Sequence, residues 1–73
     1  MELNYKIVKE LGVLSERKGF QKKLCLVSWN NRPAKYDIRE WSTEEEGKMN
    51  KGITISKEEM DNLKNIIKDL ETE

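Results

Sequence analysis

The spacing of apolar residues changes once along this chain, at Ser56-Lys57-Glu58-Glu59, and that change limits what the chain can become. Upstream, apolar residues recur mostly at every second position, the period of a strand. Downstream, Met60, Leu63, Ile67 and Leu70 recur at three and four, with Ile66 beside them, the period of an amphipathic helix. The junction is a capping box. Ser56 can accept the backbone N–H of Glu59, and the Glu59 side chain can reach back to Ser56. A helix is therefore expected from this point to about Glu71, with strands before it.

Four strands can be placed. Tyr5 to Leu14 is read as the first, with Gly12 as a bulge or bend, although Ile7, Leu11 and Leu14 also fit a helix. Ser15 to Gly19 is the polar turn that favours the strand reading. Phe20 to Asn30 follows, with Phe20, Lys22, Leu24, Leu26 and Ser28 on one face and Gln21, Lys23, Cys25, Val27 and Trp29 on the other. Neither face is cleanly apolar, which suggests a bulge near Leu26-Val27. Asn30-Asn31-Arg32-Pro33 makes a turn in which Asn tolerates left-handed geometry. Ala34 to Ser42 is the third strand, Thr43 to Asn50 a solvated acidic loop around Gly47, and Gly52 to Ile55 a short fourth strand.

With 73 residues the chain is one small domain, residues 1–73, and a second copy is an expected way to enlarge its core. Cys25 is the sole cysteine, so no intrachain disulfide forms, and a half-buried strand position is favoured over a reactive thiol. No run of about 18 apolar residues suggests a membrane span, and no leader pattern is seen, so a cytoplasmic setting is expected.

The net charge is zero, but it is unevenly distributed. Residues 1–42 hold nine Lys/Arg against five acids, a net +4, which leaves −4 for residues 43–73. Between residues 17 and 39 seven cations face only Asp37. A local field of that size attracts phosphates even on a neutral protein.

The third strand carries Tyr36-Asp37-Ile38-Arg39-Glu40-Trp41, which places Arg39 and Trp41 on one face. The fourth is entered through Lys51-Gly52-Ile53-Thr54-Ile55-Ser56, where Gly52 permits close approach of another backbone. Four strands followed by one helix, with these two motifs in strands three and four, resemble the C-terminal domain of transcriptional positive cofactor four. The resemblance runs from about Phe20 to Leu70 and is nearest to compact bacterial members. It implies an α+β fold, a curved four-stranded antiparallel sheet followed by one helix (ββββα). It also implies a homodimer whose sheets form channels for single-stranded DNA, with Met60, Leu63, Ile67 and Leu70 contributing to the interface.

Carried over by motif, the DNA-contacting positions are Arg39, Trp41, Lys51 and Gly52, with Trp29 close to a stacking aromatic. The serine- and lysine-rich tail of animal members has no counterpart here, so binding is expected to carry over and coactivation is not. A bacterial cytoplasmic protein, with nucleoid association open, is the corresponding setting.

Independently of the resemblance, Phe20, Trp29 and Trp41 are candidate base-stacking platforms, each weighed against a place in the core. Lys18, Lys22, Lys23, Arg32, Lys35, Arg39, Lys48 and Lys51 are the candidate phosphate contacts, weighed against plain solvation. Asp37 is read as orienting Arg39 or a neighbouring lysine. There is no His, no nucleophile beside a base, no glycine-rich phosphate loop and no metal-ligand cluster, so neither catalysis nor a cofactor is expected. The expected partner is single-stranded DNA, with RNA a close variant, since stacking and phosphate contacts do not read the 2′-hydroxyl. The rival reading is a small protein-interaction module that docks a partner through its helix stripe and acidic loop.

Overall fold

The computed structural model describes residues 4–71. Strands β1 (Tyr5–Arg17), β2 (Phe20–Trp29), β3 (Lys35–Ser42) and β4 (Met49–Ile55) precede helix α1 (Lys57–Glu71). They form one antiparallel sheet in the order β1-β2-β3-β4, so every neighbour in sequence is a neighbour in space. The expected ββββα order is present.

Two turns follow from local chemistry. Lys18 and Gly19 alone connect β1 to β2, and Gly19 takes a φ of +79°. The first strand therefore runs on to Arg17, beyond the expected end at Leu14; the polar run Ser15-Glu16-Arg17 is paired strand, opposite Lys22, Gln21 and Phe20. Between β2 and β3, Asn30 and Asn31 both adopt positive φ, 51° and 62°, and the Arg32 N–H closes the turn on the Trp29 carbonyl at 3.0 Å.

β1 has 13 residues against the 10 of β2, yet both its ends are paired, Tyr5 with Trp29 and Arg17 with Phe20. Three residues are thus in excess. The register shifts fall between Ile7 and Lys9, Glu10 and Gly12, and Val13 and Ser15, which leaves Val8, Leu11 and Leu14 unmatched. Gly12 does mark a bulge. The bulge expected in β2 near Leu26-Val27 belongs instead to β1, at Val8 opposite that step, while β2 pairs without interruption with β3.

Each bulge bends its strand and increases the local twist, and three along one edge curl the sheet. Tyr5 pairs with Trp29 at one end of the sheet and Trp41 stands near the other end of β3, yet the Tyr5 and Trp41 ring centroids lie 5.4 Å apart. On this inner face Cys25, Val27 and Trp41 are buried, with Tyr5, Trp29 and Met49 packed against them. Burial also pushes the Cys25 thiol above its ordinary pKa, so it remains a core thiol.

The outer face is aliphatic. The register places Leu24, Ile38 and Ile53, and Leu26, Tyr36 and Ile55, in two cross-strand rows. α1 approaches the sheet at β3, and its capping box forms as expected: Glu59 N–H to Ser56 Oγ at 3.1 Å and Ser56 N–H to Glu59 Oε1 at 2.8 Å. Along the helix stripe, Met60 is buried within the chain, Leu63 is half-buried, and Ile67 and Leu70 are exposed. Met60 therefore belongs to the chain's own core, leaving Leu63, Ile67 and Leu70 as the part of the stripe that could meet a second copy.

Candidate nucleic-acid interface

The inner face is organised by a buried carboxylate. Asp37 is fully buried, and a buried charge persists only where it is paired and hydrogen-bonded. Arg39 supplies both on the same strand two residues on, donating from Nε to Oδ1 at 2.6 Å and from Nη2 to Oδ2 at 2.9 Å. Thr54, on β4 opposite Asp37, donates its hydroxyl to Oδ2 at 2.8 Å. The expectation that Asp37 orients Arg39 agrees with this geometry.

Held this way, the Arg39 guanidinium carbon lies 4.8 Å from the centroid of the Trp29 ring, a cation–π arrangement. Its Nη1 points to Met49 Sδ at 3.6 Å. Trp29 in turn leans on Tyr5, at 5.8 Å between centroids and 46° between planes. The indole N–H groups of Trp29 and Trp41 are buried and find no acceptor among the described residues.

Gly52 permits this closeness. It pairs with Arg39 across β3 and β4, and a Cβ built on it would overlap the Cβ of Arg39 and the carbonyl of Ile38. The backbone that Gly52 lets approach is thus that of β3.

Beside this unit lies a hollow of about 240 Å³ lined by Trp29, Arg32, Pro33, Lys35 and Thr54. Arg32 and Lys35 are exposed and make no ion pair among the described residues, whereas Trp29 offers part of its ring. A second hollow, of about 410 Å³, includes Tyr5, Lys6, Lys23, Trp41 and Gly47 in its lining. Its Lys23 is engaged by Glu10 at 3.1 Å.

The structure thus separates the residues that sequence grouped together. Trp29, Arg32 and Lys35 line the first hollow, Arg39 packs on the Trp29 ring beside it, and Gly52 pairs with Arg39. Trp41 shares their face but is only 5% exposed, its ring covered by Tyr5, so it is packed rather than open for stacking. Phe20 and Lys22 fall on the other parity, facing Ser42 and Glu40. The Phe20 ring is covered by the Arg17 guanidinium at 4.7 Å. Lys18 sits in the β1–β2 turn, and Lys48 in the β3–β4 loop, 3.8 Å from Glu45. Lys51 is exposed on β4 at the register shift opposite Glu40.

Two residues of this interface escaped the sequence reading. Thr54 is singled out only by its place opposite Asp37, to which it donates its hydroxyl. Tyr5, the first residue of β1, packs against the core and covers Trp41.

The sequence matches the transcriptional coactivator p15 (PC4) family over residues 17–66. An uncharacterized protein of Treponema pallidum is 37% identical over 67 residues, which cover 90% of this chain and 78% of that protein. The chain belongs to the p15 (PC4) family. That family is one of nucleic-acid-binding, non-enzymatic cofactors that in general bind single-stranded DNA and form dimers. The matched span holds β2, β3 and β4 entire, and with them Trp29, Arg32, Lys35, Arg39 and Thr54. Tyr5 and Lys6, which line the second hollow, lie outside it.

Proposed function

We propose that this p15 (PC4) family protein binds single-stranded DNA with little sequence preference on the inner face of its sheet, serving transcription, replication or repair. The observation that carries this reading is the hollow in which Trp29, Arg32 and Lys35 converge beside Arg39. An aromatic ring accepts any base by stacking, for roughly 1–3 kcal/mol per base. Two cations at its rim, without an ion pair among the described residues, meet the phosphates that flank that base.

The protein works as a homodimer. Its outer face supports this, since Ile38, Ile53, Leu63 and Ile66 line an apolar groove of about 340 Å³, and Ile66, Ile67 and Leu70 are exposed along one helix. Pairing two copies there would enlarge a small core and leave both inner faces free.

The test is fluorescence anisotropy of labelled oligothymidine of about twenty nucleotides, longer than the roughly 4–16 nucleotides bound by one small β-barrel module, with duplex DNA and single-stranded RNA as competitors. Tight binding that weakens with salt, and poor competition by duplex, is the expected result. Absence of binding at low salt would contradict the reading and turn attention to the exposed helix face as a protein-docking surface.

A further inference from the structure

We propose that Arg39 serves oligonucleotide binding as a positioning residue that fixes the Trp29 ring, while the phosphates are met by Arg32 and Lys35. This inference rests on the single-stranded DNA reading above and assigns roles within that site. A planar guanidinium binds a phosphate best through a forked pair of N–H groups. In Arg39 the Nε and Nη2 fork is occupied by Asp37 at 2.6 and 2.9 Å, and Nη1 faces Met49. Only 14% of the side chain is exposed.

Turning the fork to a phosphate would strip a fully buried carboxylate of its cation and leave it the Thr54 hydroxyl. Removing one partner of a buried ion pair is strongly unfavourable because the other charge remains desolvated. To an approaching strand, moreover, the Arg39–Asp37 pair is neutral. What Arg39 does offer is its flat face, 4.8 Å from the Trp29 centroid. It packs on the ring, while Trp29 also lines the hollow bounded by Arg32 and Lys35. Asp37 then acts through Arg39, and Thr54, which lines the same hollow, braces Asp37 through its hydroxyl.

The two roles differ in salt dependence. For single strands the slope of log affinity against log salt is about 0.7 per phosphate neutralised. A positioning residue changes affinity and leaves the slope alone. We therefore expect Arg32→Gln and Lys35→Gln each to lower the slope by about 0.7. Thr54→Val and the neutral double variant Asp37→Asn/Arg39→Gln should keep the wild-type slope and bind about fivefold more weakly, the lower end of what one stacked base contributes.

In a Trp41→Phe background, where Trp29 is the only indole, the same double variant should shift the emission of the free protein, because the cation over the ring is gone. A slope that drops by about 0.7 in the double variant, while Arg32→Gln and Lys35→Gln keep theirs, would overturn the assignment. So would Thr54→Val binding with wild-type affinity, a result that needs no change to the ion pair and decides the matter if the double variant does not fold. Wild-type protein that binds no oligonucleotide would fail the functional reading itself, and that is seen before any variant is made.

Discussion

The two faces of the sheet solve opposite problems. The inner face closes on itself: three bulges in β1 curl the sheet until Tyr5 reaches Trp41, and a neutralised Asp37–Arg39 pair sits in the middle. The outer face is simpler in chemistry and less complete. Its aliphatic rows are covered by α1 only in part, so Ile53 remains 57% exposed and Ile66 58%. The inner face buries an aromatic and aliphatic core around one neutralised ion pair, whereas the outer face leaves large apolar side chains in water, which stability alone does not favour. The inner face holds one arrangement of rings and cations, and the outer face has exposed apolar surface to offer the second copy proposed above.

Perturbing each face should separate them. The largest effect is expected at Asp37. Asp37→Ala leaves Arg39 without its carboxylate in a mostly buried position, and urea unfolding should show a loss of about 3 kcal/mol, the low end for a broken buried pair because Arg39 retains some access to water. On the outer face Ile66→Ala should cost less than about 1 kcal/mol in the same assay, as expected for a mostly exposed side chain. Equal losses would mean that the outer face is already packed in solution.

Gly52→Ala comes next. Its methyl group would push on Arg39 and the Ile38 carbonyl, both fixed by β3, and overpacking of this kind costs about 1–3 kcal/mol. Thermal unfolding monitored by circular dichroism reads it. If the variant is as stable as the wild type, β3 and β4 are not held as closely as described.

The smallest effect concerns the far end of the sheet and its pH dependence. Arg17 donates to both Glu40 oxygens at 2.7 and 2.9 Å and Asn50 adds a third hydrogen bond at 2.9 Å, which holds the Glu40 pKa down to about 2 from 4.5. The folded-state value lies below the unfolded one, so this contribution is complete above about pH 4.5 and is lost as pH falls through 2. Glu40→Gln should therefore be less stable than the wild type at neutral pH and lose less of its stability on acidification across that window. Parallel wild-type and variant stability curves between those pH values would show that Glu40 is not so paired.

Much of this architecture was legible in the residues. The capping box at Ser56 and Glu59 marked the helix start because its chemistry is local, and alternation correctly put Phe20 and Lys22 opposite Trp29. Alternation failed in β1, since an unmatched residue at Val8, Leu11 and Leu14 resets the parity three times. That failure hid the curl, and the curl decides which aromatics are open. Arg39 and Trp41 do share a face, yet Tyr5, 36 residues earlier than Trp41, covers the latter. A period of two describes one strand; it does not report which corner of the sheet folds over another.

The central claim, that the open part of Trp29 on the inner face receives a base, is tested most directly by the intrinsic fluorescence of two single-tryptophan variants titrated with oligothymidine. Trp41→Phe, which keeps Trp29, should be strongly quenched as anisotropy reports saturation, and Trp29→Phe, which keeps the buried Trp41, should change little. Quenching confined to Trp41, or saturable binding with no change in Trp29 emission, would contradict the account.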